Sequence, residues 1–513
     1  MKESMAVLPY KEEKEFNNNM DIIKYIKKNR ILIIIILVAF FLRIYKVGEY
    51  FMFEHDQDLA SWFVKDVLVN KHLRLIGQET STQGVFIGPL YYYLLVPFYY
   101  LFNMHPLSGV IFITILSLFS LLSVYFVFTK MFNRSVGLIT TLIYAVSYYT
   151  IYNDRQVVPT TPVITWSVWY LFGINLLLKG KQKQGFIVLG ILLALIWHLN
   201  FSLILLAPLI PISLYVSRKK IDVTTLVTGL VIIFITSLPL IAFEFRHNFN
   251  QVKGILSSLT SDQHDIISGF PKFQRVIYLT SKNAYGLLMG NIKYVDYIYV
   301  LVALVLCLRL LIIKKVISKK LGLIFIFWLV IYITFFTFYS KIVSEYYLNG
   351  MMVVWIAVFA LGTSHLLSLH KYRILGIVAL LIFTIANLYK FFTVPFNKTS
   401  YPYRRAIVAE IKKDSLIHGY PCVAVSYITK PGYDLGYRYL FYVEDMHVNK
   451  PDSLAPVYTI VYPLNDKLFP VDKTFGAIGL IYPEYSRYTD KGVEISCSGE
   501  NSNLTDPMFG FTN

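Results

Sequence analysis

Unbroken apolar stretches long enough to cross a lipid bilayer recur along this chain, and they limit what it can fold into. Gly109–Phe128 and Leu226–Phe243 are two of them; a helical crossing takes about 20 apolar residues. In hydrocarbon the backbone must satisfy its own N–H and C=O groups, so such runs form helices. Further runs fall near 31–45, 135–153, 160–178, 185–199, 201–216, 295–313, 321–340, 348–367 and 373–393. Only 15% of residues are charged, against about 25% in a soluble chain. The expected fold class is an all-α polytopic membrane protein, with a transmembrane domain over 31–396.

The net charge of +17 raises nucleic acid as a partner, but its distribution argues for no nucleic acid. Lysine and arginine gather in short loops between apolar runs: Lys179–Lys183, Arg218–Lys220, Lys314–Lys320 and Lys371–Arg373. Cationic loops of this kind stay cytoplasmic. The Lys-rich tail over 1–30 is expected to be cytoplasmic too, leading into an uncleaved first helix.

Charge also decides how one ambiguous run is read. Val85–Phe102 is apolar, but if it crosses, every basic cluster lands outside. It carries Pro89, Pro97, Tyr91, Tyr92, Tyr93, Tyr99 and Tyr100, and tyrosine favours the headgroup level. It is therefore expected to lie along the outer surface. That leaves about 11 crossings, an outer loop at 47–106 with surface helices such as Leu59–Val69, a second outer loop at 245–294 that is long for a connector and so expected to be structured, and membrane lipids around the rest. The location is the plasma membrane, with the C-terminus outside.

From about Asn397 the composition turns polar. Residues 397–513 are expected to form a small soluble α/β domain on the extracytoplasmic side. It has a helix at Arg405–Lys413 and strands at Cys422–Tyr427, Tyr437–Val443, Val457–Tyr462 and Ala477–Tyr482. Cys422 and Cys497 are free to pair there; Cys307 sits in an apolar helix.

Polar side chains that can do chemistry collect at the outer ends of the helices. Glu54-His55-Asp56-Gln57-Asp58 follows the first apolar run. A solvated loop is the competing reading, yet acids are scarce in this half of the chain. Asp154-Arg155 ends the 135–153 run, and arginine suits phosphate. His198, Glu244-Phe245-Arg246-His247 and Tyr346-Tyr347 end others. Structural histidine, interfacial anchors and an aromatic belt are their bland readings. Together they line one face with carboxylates, cations and tyrosines, which suits a reaction on a lipid-anchored phosphate. There is no P-loop, dinucleotide fingerprint, nucleophile elbow or spaced metal-ligand cluster, so no cofactor is expected beyond a possible divalent cation.

Leu42-Arg43-Ile44-Tyr45, the acid-rich Asp56-Gln57-Asp58 and Gly88-Pro89-Leu90-Tyr91-Tyr92-Tyr93, followed by Asn153-Asp154-Arg155, resemble in order the motifs of the protein O-mannosyltransferases and the bacterial aminoarabinose transferases. The resemblance covers about residues 31–350. The family's Asp-Glu pair is Asp-Gln here. The resemblance implies a GT-C fold and an inverting transfer of a monosaccharide from a polyprenyl-phosphate sugar to an unknown acceptor. Asp56 would be the base, with Asp58 in reserve. Arg155, Arg246 and His247, with Lys65 as a further helper, would hold the donor phosphate. Asp154, His198, Tyr91, Tyr92, Glu244, Tyr346 and Tyr347 would line the site. An oligosaccharide ligase and a flippase without catalysis are the rivals. A flippase predicts polar residues at mid-membrane, whereas here they gather at helix ends.

Overall fold

The computed structural model describes residues 12–505 other than 81, 83, 219–222, 261–266, 291–294, 431, 466 and 467, with side chains from Lys28 onward except at 225 and 258–260. The chain is a bundle of apolar helices with a small mixed sheet at one end. Six helices have the length and hydropathy of a span: Ser108–Met131, Gln182–Leu199, Leu226–Arg246, Lys319–Phe338, Glu345–Ser368 and His370–Thr393. Arg134–Val146, Val163–Leu178, Phe201–Ser217 and Tyr297–Ile313 are apolar but shorter. Many of their leucines, isoleucines and phenylalanines face outward, as on Leu226–Phe234 and Ile374–Ile385. Such an outer surface needs lipid rather than water around it. The protein is a multi-pass membrane protein.

Two contacts fix the ends of the bundle. Arg134 donates to the Lys28 carbonyl, so the first helix passes the turn between Ser108–Met131 and Arg134–Val146 at Lys28. At the other end Arg43, on the last turn of that first helix, pairs with Asp154. The chain therefore reaches the site end at Arg43 and leaves it again at Ser108. Helix Leu90–Leu101 lies between, with both its termini at that end. Its 12 residues would span about 18 Å, well short of a bilayer core of about 30 Å.

Two expectations need correction and another gains detail. The described part of the N-terminal tail is not separate from the first helix: Glu12–Ile44 is one continuous helix. The segment 245–294, expected as a structured outer loop, gains detail. It holds helices Asn250–Thr260 and Gly269–Met289, and the latter buries Val276, Leu279, Ala284, Leu287 and Leu288 in the bundle. Its lysines, arginine and asparagine hid it from a hydropathy reading. The helix ends inside the protein, where Asn387 Nδ2 donates to the Leu288 carbonyl at 3.0 Å. A buried helix end needs such a partner. The run expected to be one helix over 135–153 is broken at Ser147 into Arg134–Val146 and Tyr148–Asn153. Asn387 Oδ1 accepts from the N–H of Tyr148 at this break, at 2.9 Å.

The C-terminal domain packs helix Tyr401–Ile417 against a five-stranded sheet. Its strands are β1 (Val423–Thr429), β2 (Val448–Asn449), β3 (Val457–Tyr462), β4 (Lys473–Phe475) and β5 (Ile478–Ile481), in the order β2-β1-β3-β5-β4. β1 pairs in parallel with β2 and β3; β5 runs antiparallel to β3 and β4. Tyr437–Val443, expected as a strand, is instead the short helix Arg438–Val443. Its aromatic side chains pack on the membrane domain rather than in the sheet, so tertiary contact overrode β propensity. Cys422 and Cys497 are joined by a disulfide that closes a separation of 75 residues.

Candidate active site

The site is organised on helix His55–Leu68. Its N-terminus is fixed by a capping box: the Glu54 side chain accepts from the third-residue N–H, and Gln57 Oε1 accepts from the Glu54 N–H at 3.0 Å. Satisfying these orphan donors sets where the helix starts. The glutamine that replaces the resembling family's acid is thereby used up in the cap. The helix packs on Leu90–Leu101 through Phe63 stacked on Tyr92, with centroids 5.0 Å apart, and through the Ser61 and Tyr99 hydroxyls at 2.8 Å.

Asp56 sits in the first turn, partly exposed. Gln78 Nε2 donates to its Oδ1 at 2.9 Å. Tyr91, Tyr92 and Tyr346 all lie within reach of its charge. Tyr91 and Tyr92 are buried and their hydroxyls are pushed upward by desolvation, so both stay protonated. Tyr346 is half exposed and its ring stands 4.5 Å from that of Tyr347. Tyr347 in turn stacks on Phe336. The structure therefore brings Asp56, Tyr91, Tyr92, Tyr346 and Tyr347 to one place.

The other acids at this end are occupied elsewhere. Asp58 is 1% exposed and accepts from the Tyr439 N–H at 3.0 Å. It faces the C-terminal domain, not Asp56's side of the helix. Burial pushes its carboxyl up to about 7, against the pull of that N–H, Arg438 and Arg404. Asp154 is buried and takes Arg43 Nε and Nη2 at 2.9 and 2.6 Å and the Tyr144 hydroxyl at 2.8 Å. It ties two helices together instead of lining a substrate site. Glu244 accepts from the N–H groups of Gln251 and Val252 at 3.0 and 3.2 Å, capping helix Asn250–Thr260.

The cations divide similarly. Arg155 is 7% exposed, donates to the carbonyls of Leu42 and Tyr45, and lies over the rings of Tyr50 and Phe391 at 5.3 and 5.0 Å. It braces the first helix rather than opening toward a ligand, and desolvation pushes it down to about 10. His247 stacks on Phe243 with centroids 4.1 Å apart. Arg246 is exposed. Lys65 is buried against Trp62 and Tyr442. His198 is a pin: its Nδ1 accepts from the Leu90 N–H at 3.4 Å and its Nε2 faces the Thr236 carbonyl at 3.3 Å. That pairing leaves the ring neutral with its proton on Nε2. Gly88 lets the chain pass this ring, since a Cβ there would stand 2.2 Å from Nδ1.

Two residues of this end escaped the sequence reading. Gln78 lies in a polar loop without periodicity, so nothing in the sequence marks it. Lys282, on the helix hidden in 245–294, reaches Glu345 Oε1 beside Tyr346. Among the described residues no three His, Cys, Asp or Glu side chains converge as metal ligands.

The bundle, with its loop helices and end domain, superposes along its length on ArnT from Cupriavidus metallidurans bound to undecaprenyl phosphate. The TM-score is 0.57 at 10% identity, covering 90% of this chain and 99% of that one. The chain has the GT-C fold. The apo form of the same ArnT matches equally, with a TM-score of 0.57 at 10% identity over 91% and 98% of the two chains. An Archaeoglobus fulgidus oligosaccharyltransferase in its apo form is more distant, with a TM-score of 0.46 at 13% identity over 82% and 64%. The dolichyl-phosphate-mannose-protein mannosyltransferase family model matches residues 87–243. On the GT-C fold of this chain that stretch runs from the Gly88–His198 pin to helix Val223–Arg246. No curated protein sequence matches the chain significantly.

Proposed function

We propose that this GT-C protein is an inverting glycosyltransferase that moves a monosaccharide from a polyprenyl-phosphate donor to a hydroxyl acceptor at the site end of the bundle. The observation that carries this reading is the state of Asp56. The neighbouring acids Asp58, Asp154 and Glu244 are spent on docking, an ion pair and a helix cap. Asp56 is partly exposed, ringed by tyrosines, and pairs with no cation among the described residues. A base must be reachable by the proton it takes.

In the transfer, the acceptor oxygen attacks the anomeric carbon from the face opposite the phosphate. Asp56 takes the hydroxyl proton, the bond from the anomeric carbon to the phosphate oxygen breaks, and polyprenyl phosphate departs with the electron pair. A single displacement inverts the anomeric centre. The departing charge needs cations; Arg246, which is exposed, and Lys282, beside Tyr346 and paired with Glu345, are the candidates we assign. Arg155 stays in its bracing role. The ArnT structure with undecaprenyl phosphate and the mannosyltransferase family model support a lipid-phosphate donor.

The basic loops put the opposite end in the cytoplasm, so the reaction faces outward and the N-terminus inward. The Cys422–Cys497 disulfide supports this, because such bonds persist in oxidising compartments.

Purified protein incubated with a panel of undecaprenyl-phosphate-linked monosaccharides tests the reading by sugar release or transfer. Asp56→Asn is expected to lower turnover by about 10²–10⁴-fold while donor binding and melting temperature hold. Wild-type turnover in that variant overturns the assignment.

A further inference from the structure

Gln78 is held by its backbone from two sides. Its carbonyl accepts from the Ile87 N–H at 2.9 Å, and its own N–H faces the Tyr92 hydroxyl at 3.4 Å. The chain segments on either side close through the Gly77 N–H to the Ile87 carbonyl at 2.6 Å and the isolated Glu79–Phe86 bridge. This small hairpin ties Gln78 to the Gly-Pro-Leu-Tyr-Tyr-Tyr element and aims its side chain at Asp56. A carboxylate only accepts, so the amide nitrogen must face it. The amide oxygen consequently points away from Asp56. It is buried and has no hydrogen-bond partner among the described residues, and Gln78 as a whole is 9% exposed. The neighbouring Tyr91 hydroxyl is also buried without a partner. Buried acceptors are nearly always paired, and an unpaired one beside a reactive carboxylate marks where a donor belongs.

We propose that Gln78 is both the positioning residue for Asp56 and a hydroxyl-reading subsite: its amide N–H holds the carboxylate, and its amide oxygen accepts a hydrogen bond from a substrate hydroxyl next to the reacting centre. This rests on the glycosyl-transfer reading and deepens it. A sugar or an alcohol acceptor supplies the required O–H; an amine-free, hydroxyl-free lipid does not. With one end on the base and the other on substrate, the amide couples recognition to the geometry of proton removal. The same arrangement makes the residue intolerant of an apolar isostere, although such an isostere fits the space.

Gln78→Met keeps the length and removes both amide functions. Its binding to undecaprenyl phosphate is compared with its binding to undecaprenyl-phosphate-linked hexoses. If the donor sugar supplies the hydroxyl, the variant loses about tenfold or more on the hexose lipid and stays within about twofold of wild type on undecaprenyl phosphate. If the acceptor supplies it, donor binding is unchanged and KM for glycerol as acceptor rises by a similar factor. Gln78→Glu is the second variant. It sets a second carboxylate where the amide meets Asp56, so the acid limb of the rate profile moves up by about one pH unit or more if Asp56 is the base held there. Equal loss on both lipids, or wild-type behaviour with an unmoved pH profile, overturns the proposal and leaves water as the partner of the amide oxygen. Wild-type protein that binds no lipid of the panel and releases no sugar overturns the transferase reading itself, a result distinct from a Gln78→Met that behaves as wild type.

Discussion

Asp58 accepts a hydrogen bond from the main-chain N–H of Tyr439 at 3.0 Å, joining the loop helix that carries Asp56 to the C-terminal domain across 381 residues of sequence. Around it Trp62 meets Tyr439 edge to face at 5.9 Å, and the Tyr439 hydroxyl donates to the Met104 carbonyl at 2.7 Å. Gly436, at φ 88°, lets the domain's backbone press against Phe53, whose carbonyl oxygen would stand 2.7 Å from a Cβ. The C-terminal domain is thus a clamp on the first turn of the helix that presents Asp56.

This clamp has a pH dependence with a definite sign. The Asp58 carboxyl sits at about 7 when docked, against an ordinary value of 3.8. The docked state therefore binds the proton more tightly, so its contribution is full below about pH 4 and is lost as pH rises through about 7. The loss amounts to about 4 kcal/mol at most. Arg404 and Arg438 face the same carboxyl. Thermal melts of the purified protein are expected to fall between pH 5 and pH 8. Asp58→Asn, which keeps an acceptor for the Tyr439 N–H without a charge, flattens that fall and raises stability at pH 8. A wild-type melting temperature that is flat over this range contradicts the clamp.

Gly88→Ala drives a methyl group into the His198 ring, where a Cβ would lie 2.2 Å from Nδ1. Overpacking of this kind costs about 1–3 kcal/mol, and here it also pushes helix Leu90–Leu101 off the ring that caps it. Lower melting temperature together with lost turnover is the expected outcome. His198→Ala removes the clash, so the double variant should recover part of the stability lost by Gly88→Ala. If the pair instead destabilises additively, the close approach is not what fixes the glycine.

The Arg43–Asp154 pair is buried on both sides, with 1% and 2% side-chain exposure. Removing one partner leaves the other charge unpaired at depth, which costs about 3–5 kcal/mol. Arg43→Leu and Asp154→Leu should each lower folded yield sharply, while the double variant loses far less than their sum. Donor binding by whatever double-variant protein folds should match wild type, because the pair holds helices and touches no substrate. A selective loss of donor affinity in that variant would return Asp154 to the site.

Much of the architecture is written in patterns that survive without tertiary contact. Apolar length and the spacing of basic loops gave a polytopic bundle. Charge bias assigns the tyrosine-rich run 85–102 to the surface, and its helix Leu90–Leu101 has only 12 residues. Strands β1, β3 and β5 announced themselves as short apolar runs. Helix Gly269–Met289 did not, because its buried face is interrupted by Lys272, Thr280, Ser281 and Asn283. Those side chains find partners inside the protein, and a hydropathy profile cannot see the partners.

The sequence alone determined that acids, cations and tyrosines would gather at one end of a membrane bundle, since solvation drives ionisable groups there whatever their role. The resemblance of its motifs pointed to Asp56 ahead of Asp58, but the residues themselves could not show what surrounds each. Asp56 and Asp58 are two residues apart on one helix, and a helical turn of about 100° per residue sends them to opposite surroundings. One faces Gln78 and the tyrosines, the other the backbone of a domain folded from the far end of the chain. Which carboxylate is available for chemistry was decided by which neighbours had already been used by packing, and only the tertiary structure brings those neighbours together.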